Sequence, residues 1–270
     1  MPHAPRIHLL TGVWDNADLL PGWLAHHREM GFGGVVLMDY GSTDGSLEIL
    51  RSPEWADFVE ILPFSGLDSD VNRELLVHSQ SRWPMDWALF IDPDEFVFTP
   101  RRSTDDPSIL IAMEGHDLVT LPRYEMTAPR SVARSAVFPG IDVMTLRLVE
   151  QDQGKVMVRL SVDMPVDLAG HTGQTDRSGT IEGTPTCLLH VPVRSYERFA
   201  QKVDHAEETF ALNPDLPDWW AWHWRRWIEI RDNGGLAGEY LEQFVNDDDV
   251  ESLLATGVYA RDTRIGEVPF

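Results

Sequence analysis

Hydrophobic positions in the first part of the chain form short apolar runs that alternate with stretches of helical periodicity. The apolar runs predict buried strands at residues 7–13, 34–39, 58–63 and 87–92. The periodic stretches predict helices at residues 20–30, 46–51 and 71–82. Because strand and helix alternate, the pattern predicts an α/β fold with an open, mostly parallel sheet flanked by helices. Ligands of such sheets bind beyond the carboxyl ends of the strands, so the loops after Val13, Asp39 and Ile91 should converge on one rim.

The pattern changes in the second half of the chain. Short β-like runs within residues 117–191, separated by turns rich in glycine and proline, predict strands that complete the sheet and its site. Beyond Ser195, which can cap a helix, apolar residues recur at helical spacing. We therefore predict an α/β domain at residues 1–194 and a helical C-terminal region at residues 195–270 that packs on it.

The charge of the chain restricts its partners. Lys and Arg number 22 against 44 Asp and Glu, which gives a net charge of −22. A field of this sign repels a phosphate backbone, so we expect no nucleic-acid partner. The single cysteine cannot form an internal disulfide, and the sequence shows neither the pattern of a secretion signal nor an apolar run of the ~20 residues that span a bilayer. We expect a cytoplasmic protein without a membrane span, and peripheral contact with a membrane stays open.

The segment WALFIDPDEF at residues 87–96 ends a buried strand in a tight turn that carries three carboxylates. Pro93 restricts the backbone between Asp92 and Asp94, which helps to hold both acids in one orientation. Paired carboxylate oxygens are ligands that hard divalent cations such as Mg²⁺ and Mn²⁺ prefer. The segment therefore predicts a metal site, and the alternative is a solvated turn whose acids cap the following strand.

The segment VVLMDYGSTDGS at residues 35–46 has the same order of an apolar strand, an acid at its end and a glycine-rich turn. Asp39 can accept hydrogen bonds from a base or a ribose, and the backbone N–H groups of the turn can approach a ligand closely. Asp44 is equally well explained as the N-cap of the next helix. This turn predicts a second ligand contact, at the same rim as the acidic turn within residues 87–96.

Together these motifs resemble nucleotide-sugar glycosyltransferases with a GT-A fold, specifically the family 2-like group, and they are also similar to glycosyltransferase family 92. The group usually carries Asn-Glu where this chain has Asp15 and Asn16. The resemblance covers about residues 7–210 and depends on four segments in this order: DNADLLPGW at 15–23 with His26 and His27, residues 39–46, the DxD-like DPDEF at 92–96, and HVPVRSYERFAQK at 190–202.

The resemblance implies that a sugar passes from a UDP- or GDP-sugar to a hydroxyl acceptor on a glycan, a lipid or a small molecule. A bound cation would neutralise the charge that develops on the leaving diphosphate. The residues implied to contact the nucleotide sugar are Asp39, Asp92, Lys202 and Thr11. The residues implied to hold Mn²⁺ or Mg²⁺ are Asp94, Asp92 and His190.

An inverting transfer, which we expect here, also needs a carboxylate that takes the proton of the acceptor hydroxyl. The sequence does not single out this base, and the candidates in suitable loops are Glu95, Glu125, Asp142, Asp176 and Glu182. Glu95 is nearest to the metal motif but can equally hold the turn together.

Two further positions have open roles. His171, which follows Gly170, is either a site residue or a satisfied structural histidine. Lys155 and Arg159 alternate along a predicted strand, where a solvated face explains them as well as a phosphate contact does.

A segment at residues 218–227 holds half of the ten tryptophans. One helical face carries Trp220, Trp224 and Trp227, a spacing that favours core or a subunit interface over a sugar platform. The opposite face carries Trp219 and Trp222 beside two arginines, and it suits either an acceptor sugar or a lipid headgroup layer.

Other function classes are compatible with parts of the sequence. A phosphatase of the haloacid dehalogenase type also uses Asp-x-Asp, but after its first strand, whereas here the motif follows the fourth. A sugar nucleotidyltransferase needs a glycine-rich basic loop after the first strand, which residues 11–15 do not supply. A non-catalytic carbohydrate-binding or scaffold protein would use the tryptophan-rich segment. The sequence favours a metal-dependent glycosyltransferase over these alternatives.

Overall fold

The computed structural model describes residues 6–64, 71–82, 86–135, 137–161, 164–167, 169–183, 185–216 and 221–270. Its strands are β1 (Ile7–Val13), β2 (Val35–Asp39), β3 (Val59–Leu62), β4 (Trp87–Phe90), β5 (Glu95–Phe98), β6 (Leu118–Thr127), β7 (Leu146–Leu148), β8 (Asp152–Arg159), β9 (Ser178–Thr180), β10 (Cys187–His190) and β11 (Tyr259–Arg261). Its α-helices are α1 (Leu20–Glu29), α2 (Ser46–Leu50), α3 (Val71–Arg82), α4 (Pro107–Met113), α5 (Arg130–Ala133), α6 (Tyr196–Leu212), α7 (Trp222–Asp232), α8 (Leu236–Glu242) and α9 (Val250–Ala255).

The chain forms two compact units. The first comprises Met1–Tyr124, Gln151–His190 and Val268–Phe270, and the second comprises Glu125–Glu150 and Val191–Glu267. The boundary that the sequence predicts after residue 194 stays a prediction. Residues 125–150 contact the C-terminal part of the same unit at several points; for example, the Arg130 N–H donates to the Val245 carbonyl at 2.7 Å, and β7 pairs with β11. A contact of this kind, between distant parts of the chain, leaves no local mark in the sequence.

The sheet of the first unit contains four neighbouring parallel strands in the order β3, β2, β1 and β4. Strand β8 pairs antiparallel with β4, and β6 pairs antiparallel with β8. Strand β4 is buried along its whole length, as its continuous apolar sequence predicts for a strand covered on both faces. The predicted α/β class, with a mostly parallel sheet flanked by helices, is confirmed.

One face of this sheet packs against α3. Burial of each large aliphatic side chain in such a core contributes about 1.5–3 kcal/mol. The cluster joins the central strands to the helix through Leu10, Val36, Met38, Val71, Leu75, Ala88, Phe90, Val156 and Val158. The strand ends that carry the acidic turns are therefore fixed on a rigid layer.

The second unit combines a small sheet with helices. Strand β7 pairs antiparallel with the end of β6 and with β11. Helix α6 begins after Ser195, whose hydroxyl accepts from the Arg198 N–H at 3.2 Å, as the sequence predicts. Of the helices that the structure describes, none combines the length and the apolar content that crossing a bilayer requires.

Candidate active site

The turn between β4 and β5 is closed by two hydrogen bonds between its ends. The Glu95 N–H donates to the Asp92 carbonyl at 3.0 Å, and the Asp92 N–H donates to Glu95 Oε2 at 2.8 Å. These bonds fix the backbone on either side of Pro93 and Asp94. The three acids thus occupy distinct positions in one short turn at the carboxyl end of a central parallel strand.

His190 approaches this turn from β10, the strand that pairs with β5. Strand β10 pairs antiparallel with β5, and His190 lies opposite Glu95 in that register. Its Nε2 lies 3.5 Å from Asp94 Oδ1. The structure therefore brings together two of the three residues that the sequence proposes as metal ligands.

Asp92 is held differently from Asp94. Its Oδ2 accepts from Lys155 Nζ at 2.7 Å, and half of its side-chain surface remains exposed. The low polarity around it acts to raise the pKa of Asp92, but the ammonium of Lys155 outweighs this effect, so the pKa lies below the ordinary aspartate value. Asp92 is therefore an ionised carboxylate with a permanent cationic partner.

Glu95 is fully buried and has both carboxylate oxygens occupied. Arg123 Nη1 donates to Oε1 at 2.8 Å, while Oε2 accepts from the Asp92 N–H and lies 3.7 Å from Lys155 Nζ. Burial raises the pKa of Glu95, and Lys155 and Arg123 act against that rise. This geometry favours the alternative in which Glu95 holds the turn together rather than serving as a base.

Helix α1 holds β5 in place through hydrogen bonds that Trp23 and His27 make to the β5 backbone. The Trp23 indole N–H donates to the Glu95 carbonyl at 2.8 Å. His27 bonds through Nδ1 to the Trp23 carbonyl and accepts from the Val97 N–H at Nε2, which defines its tautomer. Burial lowers the pKa of both histidines, so they are neutral hydrogen-bonding groups of the scaffold.

The turn after β2 is tied to the loop after β1. Asp39 ends β2 opposite Val13 and accepts from the N–H groups of Gly41 and Ser42, both at 3.2 Å. Asp15, with a left-handed φ of 47°, accepts from the Thr43 N–H at 2.6 Å. The loops after β1 and β2 are therefore hydrogen-bonded to each other at the ends of adjacent parallel strands, where the sequence predicts that they converge.

Thr11 lies inside β1 rather than at its end. It is buried, and its hydroxyl donates to the neighbouring Gly12 carbonyl at 3.2 Å. A Cβ on Gly12 would lie only 2.4 Å from the Tyr40 ring, so Gly12 gives the space that lets Tyr40 cover this part of the strand. Burial raises the pKa of Tyr40 to about 12, with a further contribution from the negative charge of Asp92.

The loop that carries His171 lies against β8 and the end of β4. The Val156 N–H donates to the Gly170 carbonyl at 3.0 Å, and a Cβ on Gly170 would lie only 2.5 Å from the Phe90 Cβ. Nδ1 of His171 donates to the Gly154 carbonyl at 2.7 Å. Burial lowers the pKa of His171, as does the charge of Lys155, so the ring is neutral with a defined tautomer.

The remaining predicted residues are spread over both units. In the first unit, Asp176 and Glu182 are exposed. In the second, Glu125 is half-buried on β6, Asp142 is exposed in a short turn, and Lys202 Nζ contacts the Pro192 carbonyl at 3.5 Å.

The tryptophan pattern is tested for the residues that the structure describes. Trp227 is buried and Trp222 is 64% exposed, as their predicted faces require, whereas Trp224 on the predicted core face is only half-buried. Trp219 and Trp220 lie outside the described residues.

The sequence missed the ion pairs that support the turn. Lys155 is 1% exposed, so neither the solvated face nor a phosphate contact describes it, and Arg123 joins Glu95 to Asp152. One signal was available, since Lys155 shares a strand face with the apolar Met157. Among the described residues, no three His, Cys, Asp or Glu side chains form a preformed ligand cluster.

Comparison with known proteins gives one similarity in sequence. No model of a protein family matches the chain. Over 135 residues, or 50% of this chain, it is 26% identical to glycosyltransferase AglJ of Haloferax volcanii. The chain thus resembles a glycosyltransferase. The matched residues cover 41% of AglJ, so the chain spans less than half the length of this curated relative. The predicted resemblance is confirmed at this level, and assignment to family 2 stays a prediction.

Two solved structures of S. aureus TarS also align with the chain. TarS 1–349 aligns at 13% identity and a TM-score of 0.43, covering 79% of this chain and 67% of that one. TarS 1–349 in complex with UDP-GlcNAc aligns at 12% identity and a TM-score of 0.45, covering 79% and 68% of the respective chains.

Proposed function

We propose that this chain transfers a sugar from a UDP- or GDP-sugar to a hydroxyl acceptor, with a divalent cation held by Asp94 and His190. The observation that carries the proposal is the 3.5 Å approach of His190 Nε2 to Asp94 Oδ1, at the end of a central parallel strand. Similarity to a glycosyltransferase over half of the chain supports the same reaction class.

The donor set fits Mn²⁺ or Mg²⁺. A carboxylate and an imidazole leave several coordination positions for water and for phosphate oxygens, which these cations take readily. When bound, the cation would supply positive charge to the leaving diphosphate. Lys155 already holds Asp92 Oδ2, so Asp92 is available to the cation or to the donor only through its remaining surface.

The protein's own residues would orient the donor. Asp39 is the proposed partner of the nucleoside, because it ends the strand next to β1 and its turn is ordered by hydrogen bonds from Gly41 and Ser42. The proposed outcome is inversion, with a carboxylate as base. Glu95 is engaged on both oxygens, so the proposed candidates for the base within the first unit are the exposed acids Asp176 and Glu182.

The test is incubation of the purified chain with a panel of UDP- and GDP-sugars and Mn²⁺. We expect slow release of one nucleoside diphosphate with water alone and faster release once a hydroxyl acceptor is present. Asp94→Asn should abolish the release. The matched control is Asp57→Asn, since this exposed acid pairs with Arg28 in the same unit and should leave the rate unchanged.

Other outcomes distinguish the alternatives. Release of inorganic phosphate from phosphate esters, with no consumption of any nucleotide sugar, would replace the proposal with phosphoryl transfer. Binding of glycans without turnover of any donor would indicate a non-catalytic carbohydrate-binding protein.

A further inference from the structure

Lys155 is a buried cation in the centre of the candidate site. It lies on β8 between β4 and β6, and its side chain is 1% exposed. Nζ donates to Asp92 Oδ2 at 2.7 Å and to the Ala169 carbonyl at 2.8 Å. An ammonium group withdrawn from water to this extent is costly unless it is paired. The pairing with Asp92 is therefore a fixed feature of the site and not a surface contact.

The charge of Lys155 acts chiefly on Asp92. Glu95 lies farther away, at 3.7 Å, and already receives Arg123 on one oxygen and the Asp92 N–H on the other. Asp92 has Lys155 at 2.7 Å and keeps half of its side-chain surface exposed. Lys155 thus neutralises one side of the Asp92 carboxylate from the protein interior, while the other side is exposed to solvent.

The contribution of the Lys155–Asp92 ion pair to stability is not enough to explain its presence. Replacing a buried ion pair with apolar residues of similar size is often neutral or stabilising. Met157, the next residue on the same face of β8, is buried and apolar, so this layer accepts such residues. Keeping an acid half-exposed above a buried lysine instead sets the charge at the surface of the site.

We propose that Lys155 is a positioning residue that serves as a fixed internal cation, which orients Asp92 toward the donor and keeps it out of the ligand set of the divalent ion. The inference rests on the proposed function. Asp94 and His190 then hold the cation, and the site presents less negative charge to a nucleoside diphosphate than its three acids suggest.

The decisive experiment compares two affinities in Lys155→Met by calorimetry. One is the affinity for UDP with EDTA present, and the other is the affinity for Mn²⁺ without nucleotide. Loss of the internal cation should weaken UDP binding about tenfold and tighten Mn²⁺ binding severalfold, because the site becomes more negative. A purely structural lysine predicts that both affinities fall together, and that result, or no change in either, overturns the proposal.

Two controls isolate charge and position. Lys155→Arg keeps a positive charge in this buried position, so it should bind UDP more tightly and Mn²⁺ more weakly than Lys155→Met does. Arg159→Met removes a cation from the same strand, where the guanidinium pairs with Asp117 at 3.2 Å, and it should change neither affinity. A shift in Arg159→Met equal to that of Lys155→Met would show that net charge alone is responsible, and would overturn the role of Lys155.

A second comparison does not depend on the folding of Lys155→Met. Asp92→Asn should alter Mn²⁺ affinity by less than about threefold, whereas Asp94→Asn should reduce it by about tenfold or more. Equal losses in both would place Asp92 in the ligand set and overturn the inference while leaving the proposed function intact. If the unmodified chain binds neither UDP nor Mn²⁺, the proposed function itself fails, and the inference fails with it.

Discussion

His190 Nε2 lies 3.5 Å from Asp94 Oδ1, although the two residues come from different halves of the chain. The antiparallel pairing of β10 with β5 produces this approach, because it sets His190 opposite Glu95, next to Asp94. The pair makes a specific prediction about metal dependence. His190→Ala should raise the Mn²⁺ concentration for half-maximal transfer about tenfold or more and leave turnover at saturating Mn²⁺ less affected.

Asp94→Asn should be more damaging than His190→Ala, because a carboxylate contributes charge as well as a ligand. A loss of several kcal/mol of transition-state stabilisation corresponds to a rate decrease of about 10²–10³-fold. Circular dichroism and the melting temperature should stay close to those of the unmodified chain, since Asp94 belongs to a turn and not to the apolar core. Wild-type Mn²⁺ dependence in both variants would remove these residues from the metal site.

Much of the first unit follows from local sequence. Strand β4 and the acidic turn after it are predictable because an uninterrupted apolar run and the residues DPDEF each specify their own conformation. The support of that turn is not predictable in the same way. Lys155 and Arg123 reach Asp92 and Glu95 only after β8 and β6 have joined the sheet, and the pairing of antiparallel strands from distant segments is not encoded near either residue.

Asp39 tests the proposed nucleotide contact. Asp39→Asn should weaken the affinity for the nucleoside diphosphate by about tenfold, the effect of losing one hydrogen bond to a charged group. The asparagine retains an oxygen that can accept from Gly41 and Ser42, so the turn should persist. Calorimetry with UDP and GDP measures the change, and unmodified affinity for both nucleotides would contradict the contact.

Gly170 tests whether the loop beside Lys155 must lie close to β4. Its φ is +70°, and a Cβ would lie 2.5 Å from the Phe90 Cβ. Gly170→Ala should lower the free energy of unfolding by about 2–4 kcal/mol, through left-handed strain and crowding together. Gly115→Ala is the matched control, because φ is +77° there and nothing lies within 4 Å, so only about 1 kcal/mol of strain is expected. Equal losses of unfolding free energy in the two variants, measured by urea denaturation, would show that the loop accommodates the added methyl group without crowding.

Buried neutral histidines predict a loss of stability in acid. Burial lowers the pKa of His8 and of His26 from 6.5 to about 4, and that of His27 well below 6.5. In the unfolded state these groups bind protons once the pH falls below about 6.5, whereas in the folded state His8 and His26 bind them only near pH 4. The free energy of unfolding should therefore be highest above pH 6.5 and decline between pH 6.5 and 4, by about 3 kcal/mol for His8 or His26 alone.

The histidine effect can be isolated with His26→Gln. The glutamine amide can donate to the Val97 carbonyl, which accepts from His26 Nε2 at 2.7 Å. This variant should be less stable at pH 7.5 but should lose less stability on acidification. Urea midpoints at pH 7.5, 6 and 5 give the comparison, and a flat profile for the unmodified chain would contradict the prediction.

Two tryptophans of helix α7, in the second unit, allow a structural role and a functional role to be tested separately. Trp227 packs on Phe199 with ring centroids 4.9 Å apart, and its indole N–H donates to Glu239 Oε1 at 3.0 Å. Trp227→Ala should cost about 3–5 kcal/mol of unfolding free energy, because it leaves a cavity and removes one hydrogen bond to Glu239, whose Oε1 still accepts from Arg226 and Gln243. Trp222 is 64% exposed, so Trp222→Ala should change stability by less than about 0.5 kcal/mol. If Trp222→Ala also weakens saturation by the hydroxyl acceptor or binding to liposomes, its exposed ring contacts a sugar or a lipid surface. Unchanged behaviour in both assays would limit this face of α7 to solvent exposure.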